Sequence, residues 1–93
     1  RSLIVTLGRK GSVHVTAAGV RAVRAFEVKA VDTVGAGDCY CGVLAASVAQ
    51  GMEMMQAMRR ASAAAAISAT RRGAQPSMPL HAEIEAFLSG QGP

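Results

Sequence analysis

The sequence DTVGAGDCYCGVL, residues 32–44, is the stretch that decides the fold of this 93-residue chain. It places Gly35 and Gly37 just before an apolar run at residues 40–50. A glycine-rich turn at the start of a helix leaves backbone N–H groups without intrahelical partners, and the helix dipole adds partial positive charge there. The stretch therefore predicts a turn that binds an anion such as a phosphate at the beginning of a helix.

Asp38, at the end of this turn, has two interpretations. A carboxylate beside free N–H groups is ordinarily a helix N-cap, and an isolated Gly-Asp pair favours that role. The alternative is a general base, which would take the proton of a substrate hydroxyl as the oxygen attacks a phosphorus atom.

The residues before this stretch predict strands. Residues 3–7 form a continuous aliphatic run, typical of a strand buried on both faces. Residues 12–16 alternate between polar and apolar, as a half-exposed strand does, and residues 20–28 alternate irregularly, which favours an edge strand. The short spacing between these runs predicts hairpins rather than a pure βαβ repeat.

Three helices are predicted after the strands. Residues 40–50 are apolar on nearly every side, which indicates a buried helix, and Gly51 is placed to end it. Residues 52–70 form a second helix rich in alanine, and residues 81–88 form a short amphipathic helix.

Composition excludes several classes of protein. The formal net charge is +4, but the basic residues are scattered and only three residues are aromatic, so we expect no nucleic-acid partner. No apolar run reaches the roughly 18 residues of a membrane span. Cys39 and Cys41 would point to different faces of a helix, and we expect two reduced thiols in a cytoplasmic protein. His14 and His81 have no evident carboxylate partner and are expected at the surface.

Three motifs, in order along the chain, resemble those of the ribokinase-like (PfkB) carbohydrate kinases. Residues 32–44 resemble the carboxy-terminal signature of the family, and TLGRKG, residues 6–11, resembles its nucleotide-contacting strand and turn. TRRGAQPSMP, residues 70–79, is similar to a loop typical of its ribokinase members. The resemblance implies a three-layer α/β fold with a central, mostly parallel sheet. Residues 1–93 would be the C-terminal, nucleotide-binding part of one kinase domain, without its N-terminal sugar-binding part and lid.

The resemblance also implies an activity, the ATP-dependent phosphorylation of D-ribose to ribose 5-phosphate. Asp38 would then be the catalytic base that contacts the sugar, and the backbone amides of Gly35, Ala36 and Gly37 would form the anion hole. The residues implied to contact ATP are Thr6, Leu7, Gly8, Arg9, Lys10, Gly11, Gly37, Asp38 and Ser62. Family members often have Asn or His at the position of Ser62, so a helix-packing role is the alternative for this serine.

Mg²⁺ with ATP and a K⁺ ion beside the anion hole are further implications of the resemblance. The K⁺ ligands would be the Asp32 carboxylate, the carbonyls of Val34, Ser68, Arg71 and Gly73, and the Ser77 hydroxyl. A shell of mostly neutral oxygens suits K⁺ better than Mg²⁺, which requires tight octahedral geometry. The Asn-x-x-Glu element associated with Mg²⁺ in the family is absent, since this sequence contains no Asn. A homodimer is expected for the full-length protein.

Two alternatives stay open. The sugar-binding residues of the family lie outside this sequence, so the substrate could be that of another member, such as a fructokinase, a 2-keto-3-deoxygluconate kinase or a nucleoside kinase. The chain could instead be a noncatalytic fragment with nucleotide-binding remnants. In either case we expect the isolated 93 residues to be inactive.

Overall fold

A computed structural model describes residues 2–6, 11–26, 28, 35–70 and 81–90. Three strands precede three helices: β1 Ser2–Thr6, β2 Ser12–Thr16, β3 Gly19–Val23, α1 Ala36–Ala49, α2 Met54–Ala69 and α3 His81–Gly90. This order confirms the predicted α/β character of the chain and the order of its predicted elements, although the third strand ends at Val23 and not at residue 28 as predicted. The first helix begins four residues earlier than predicted, inside the glycine-rich stretch.

The three described strands form an antiparallel sheet in the order β1-β2-β3. The register pairs Thr6 with Ser12 and Ser12 with Val23, so these residues form one row across the sheet. At the other end, Thr16 accepts a hydrogen bond at its Oγ1 from the backbone N–H of Ala18, 3.2 Å away, within the β2–β3 turn. The hairpins predicted from the short spacing are therefore confirmed, and β3 lies at an edge of the described strands, as predicted.

The two faces of this sheet have different environments. Directly paired residues of neighbouring strands project to the same face, so Leu3, Val15 and Val20 share the face opposite to that of Ser12. Ser12 is 2% exposed, whereas Leu3 and Val20 are 60% and 64% exposed. The prediction that the first strand is buried on both faces is wrong for this chain, because the helices lie against Ser12's face and no described residues cover the other.

The helices pack on one another through small residues. α2 lies between α1 and α3, and its buried alanines let the neighbouring helix backbones approach closely. The core is the cluster of Ala63, Ala64, Ile67 and Ile84, against which Phe26, Val43, Phe87 and Leu88 pack. Phe26 meets Phe87 edge to face with ring centroids 5.1 Å apart, and so anchors the segment after β3 to α3.

The predicted burial of the first helix is wrong over much of its length. Only Cys39, Tyr40 and Ser47 are buried in α1, and Val48 is 41% exposed. The described residues pack on one side of α1 and provide no second layer for its other apolar side. Its end follows the prediction, because Gly51 adopts φ 89°, and the N–H of Met52 bonds to the Ser47 carbonyl at 3.0 Å.

None of the three helices described here combines the length and the apolar character required to cross a membrane.

Candidate active site

The start of α1 is formed by Gly35 in a left-handed conformation. Its φ and ψ are 88° and −10°, a region that glycine adopts without steric cost. The Gly35 carbonyl accepts the first bond of the helix, from the N–H of Cys39 at 2.9 Å. The sequence therefore turns into a helix at this glycine, and the motif forms the N-terminus of α1.

Among the described residues, no side chain caps the N-terminus of α1. As in any α-helix, the first N–H groups, here those of Ala36, Gly37 and Asp38, have no carbonyl partner within the helix. Gly35 has no side chain that could accept from them, and Gly37 is exposed with open space where a Cβ would stand. This end of the helix has the free donors and the positive dipole that an anion requires.

Asp38 is the third residue of α1 and is exposed. The interpretation of this carboxylate as the N-cap is wrong, because the cap position belongs to Gly35. A carboxylate in the first turn, next to free N–H groups, has the placement that a general base beside a bound phosphate requires.

The predicted ATP turn lies between β1 and β2. Thr6 is the exposed last residue of β1, and Gly11 directly precedes β2. Gly11 is buried at φ 104°, and a Cβ there would lie 2.1 Å from the carbonyl oxygen of Val23. Only glycine fits this close approach of two backbones. The intervening Leu7, Gly8, Arg9 and Lys10 lie outside the described residues.

A buried hydrogen bond joins this turn to α1. The hydroxyls of Ser12 and Tyr40 are 2.6 Å apart, and either can donate. Ser12 follows Gly11, and Tyr40 lies two residues after Asp38. Burial raises the pKa of Tyr40, and a coulombic contribution from Cys41 acts in the same direction, while the bond to Ser12 opposes them. The structure thus joins the first residue of β2, directly after the predicted ATP turn, to the start of α1.

The remaining predicted site residues belong to α2 or lie outside the described residues. Ser62 is 6% exposed within α2. That burial is what the packing alternative requires, and an adenine contact at this position stays a prediction.

Among the predicted K⁺ ligands, only Ser68 is described, and it is buried in the last turn of α2. The backbone N–H of Thr70, the C-cap residue of α2, is directed at the carbonyls of Ile67 and Ser68. A cation ligand at the Ser68 carbonyl stays a prediction. The other five ligands lie outside the described residues: Asp32, Val34, Arg71, Gly73 and Ser77. In the described ranges no group of three or more His, Cys, Asp or Glu side chains is placed to hold a metal.

One cluster of polar side chains was not predicted. Arg60, 8% exposed on α2, donates from Nη1 to Glu85 of α3 at 2.7 Å and from Nη2 to Nδ1 of His81. His81 Nε2 lies 3.6 Å from the same Glu85 carboxylate. The prediction that His81 lacks a carboxylate partner is wrong, and the signal was the i,i+4 spacing of His81 and Glu85 on one helix face.

Comparison with known proteins gives a consistent result. The model of the family described as pfkB family carbohydrate kinase matches residues 1–81. A probable fructokinase-4 of Arabidopsis thaliana is 36% identical over 95 residues, which cover 95% of this chain and 29% of that protein. The chain therefore spans less than a third of the length of this curated relative.

Solved structures agree in fold. A ribokinase from Thermotoga maritima superposes with a TM-score of 0.91 at 44% identity, covering 96% of this chain and 30% of that one. An Arabidopsis thaliana ribokinase complexed with ribose and ATP superposes with a TM-score of 0.90 at 30% identity, covering 94% of this chain and 28% of that one. The described strands and helices therefore form a portion of the ribokinase fold.

Proposed function

The chain belongs to the pfkB family of carbohydrate kinases, and on that basis we propose that it forms the nucleotide-binding part of an ATP-dependent kinase that phosphorylates ribose. The observation that carries the proposal is the open start of α1. There, Gly35 leaves the N–H groups of the first turn free, and Asp38 stands exposed beside them. Both features lie in the motif that resembles the family signature.

The chemistry follows from these groups. Asp38 takes the proton of the primary hydroxyl of ribose as that oxygen attacks the γ-phosphorus of ATP, and ADP leaves with the electron pair of the broken P–O bond. Negative charge on the transferring phosphoryl group is stabilised by the amides of Gly35, Ala36 and Gly37 together with the dipole of α1. The products are ribose 5-phosphate and ADP.

ATP would be held by the turn between β1 and β2. Thr6 and Gly11 are its described ends, and Leu7, Gly8, Arg9 and Lys10 complete it. The tight backbone contact with Val23 fixes the position of Gly11, the described end of the turn, and Arg9 and Lys10 would supply positive charge for the phosphates. Ser62 on α2 would lie at the adenine. The Mg²⁺ that accompanies ATP would be held by residues outside this sequence.

Ribose is the preferred substrate because the loop at residues 70–79 resembles that of ribokinases, and because the Thermotoga maritima ribokinase is 44% identical over the chain. Fructose is the second candidate, since the Arabidopsis thaliana relative is a probable fructokinase. We place the protein in the cytoplasm, consistent with the absence of a disulfide between Cys39 and Cys41, and we expect the homodimer implied by the family.

The test is a substrate panel with the full-length protein that carries this chain. Ribose, 2-deoxyribose, fructose and a nucleoside are each supplied with Mg-ATP, and ADP formation is measured. We expect the highest kcat/KM with ribose. A higher kcat/KM with fructose would change the proposed substrate from ribose to fructose and leave the kinase activity supported. No phosphorylation of any acceptor would contradict the proposal. Ribose phosphorylation by the isolated 93 residues would contradict their assignment as one part of a domain.

A K⁺ ion is proposed to order the anion hole. It would be held by the carboxylate of Asp32, the carbonyls of Val34, Ser68, Arg71 and Gly73, and the hydroxyl of Ser77. When bound, the ion supplies a positive charge that fixes opposing carbonyl dipoles and so preorganises the turn before α1.

We predict activation of ribose phosphorylation by KCl, and much less by NaCl or choline chloride at matched ionic strength. Asp32→Ala should abolish the activation, because it removes the only charged ligand, whereas Ser77→Ala should only raise the K⁺ concentration required. Equal rates in the three salts would show that these residues form no cation site.

A further inference from the structure

The hydrogen bond between Ser12 and Tyr40 has no counterpart in the chemistry proposed above. Its oxygens are 2.6 Å apart, and the residues are 2% and 6% exposed. The partners are 28 residues apart in the sequence and belong to the first strand of one hairpin and to a helix. A buried hydroxyl that loses its partner is costly, so this pair holds its two elements in one relative position.

Each end of the bond is fixed to one half of the proposed site. Ser12 directly follows Gly11, whose backbone is pressed against that of Val23. Tyr40 lies two residues after Asp38, in the first turns of α1. Loss of the bond therefore leaves β2, which begins directly after Gly11, without its hydrogen bond to the start of α1, which carries Asp38.

We propose that Ser12 and Tyr40 are positioning residues. They align the start of α1 with the ATP turn, so that Asp38 lies at the correct distance from the phosphoryl group that is transferred. This inference rests on the proposed function. Both hydroxyls are buried and bonded to each other, so the effect we expect is on the distance between two bound groups. Misplacement of reacting groups by about 1 Å can cost up to 10²-fold in rate, while each substrate still binds its own half of the site.

Burial supports a neutral phenol in this role. It raises the pKa of Tyr40, so the hydroxyl stays protonated and can donate to Ser12. The Ser12 hydroxyl can donate in turn, so the bond survives either arrangement of the two protons.

The test uses Tyr40→Phe, Ser12→Ala and the double variant in the full-length protein. Tyr40→Phe keeps the ring and its packing and removes only the hydroxyl. We expect kcat to fall about tenfold in each single variant, with KM for ATP and for the sugar changed less than about threefold. The double variant should lose no more than the worse single variant, because both changes break the same bond.

Thr16→Val is the matched control. It removes a hydroxyl at the other end of β2, where Thr16 accepts from the N–H of Ala18, and it should leave kcat within twofold of the wild type. Thermal unfolding of every variant, followed by assays below its midpoint, separates alignment from loss of folded protein. If either single variant fails to fold, the double variant, which leaves no orphaned hydroxyl, replaces it.

The outcomes separate the inference from the proposed function. Wild-type-like kcat in folded Tyr40→Phe and Ser12→Ala, or in the folded double variant, would overturn the inference and leave the kinase assignment intact. Additive losses, or an equal loss in Thr16→Val, would overturn it too. An inactive wild-type protein across the substrate panel would instead overturn the proposed function, and with it the alignment role.

Discussion

The two longest helices of the molecule begin in opposite ways. α2 is preceded by Glu53, whose side chain accepts hydrogen bonds from the N–H groups of Met55 and Gln56. α1 is preceded by Gly35, which has no side chain to accept them. One N-terminus is therefore capped by the carboxylate of Glu53, whereas no side chain in the described part of the molecule caps the other.

The placement of the acidic residue is the instructive difference. Glu53 precedes its helix as the N-cap residue, and its negative charge interacts favourably with the helix dipole. Asp38 stands inside the first turn of α1 and is exposed. A helix closed by its own cap gains stability, whereas an open helix with a nearby carboxylate can bind an anion and act on a hydroxyl beside it.

The largest expected effect is that of Asp38→Asn. The amide keeps the size of the side chain and removes its ability to accept a proton, so kcat of the full-length kinase should fall by about 10²–10⁴-fold with little change in ATP affinity. Glu53→Gln makes the same chemical change at the other helix and should leave kcat within about twofold. A kcat above about a tenth of the wild-type value in Asp38→Asn would remove Asp38 from the role of base.

A smaller effect is expected at the glycines that bound α1. Gly35 and Gly51 have φ of 88° and 89°, so an alanine at either position costs about 1 kcal/mol of strain. Only Gly35→Ala disturbs the proposed anion hole, and its kcat should fall about tenfold. Gly51→Ala, with open space around the added Cβ, is the control for strain alone. Equal kcat in the two variants would contradict an anion hole at Gly35.

The smallest effect is expected for stability at the closed helix. Glu53→Ala frees the N–H groups of Met55 and Gln56 and should lower the free energy of unfolding by about 1 kcal/mol, measured by urea titration. Gln56→Ala changes an exposed side chain in the same turn but keeps the backbone N–H that donates to Glu53. The free energy of unfolding of this variant should therefore stay within about 0.5 kcal/mol of the wild-type value. Similar losses in both variants would show that Glu53 is not the cap.

Local patterns in the sequence were sufficient to predict the elements. The alternation at residues 12–16, the end of α1 at Gly51 and the family signature at residues 32–44 each depend on neighbouring residues. The strand, the helix end and the membership of the family are confirmed. Burial was predicted less well. The exposure of Leu3 and of Val48 depends on which layers cover a strand or helix, and the pattern of one segment carries no information about its neighbours.

The contacts that join distant segments could not be predicted. No sequence period links Ser12 to Tyr40, 28 residues away. The alternative of Asp38 as an N-cap fails because the helix begins at the left-handed turn of Gly35, and the sequence pattern does not locate a helix start to within three residues. The pairing of Arg60 with α3 also joins distant residues, although the i,i+4 spacing within α3 was visible.

The most direct test of the open helix is an NMR titration of the full-length protein, labelled with ¹⁵N at glycine, alanine, methionine and glutamine. A non-hydrolysable ATP analogue with Mg²⁺ and the sugar is added, and backbone amide shifts are followed at the starts of α1 and α2. We predict large shifts for Ala36 and Gly37, whose N–H groups would bind phosphate, and little change for Met55 and Gln56, which already bond to Glu53. Unchanged amides at Ala36 and Gly37 in the saturated complex would contradict the account.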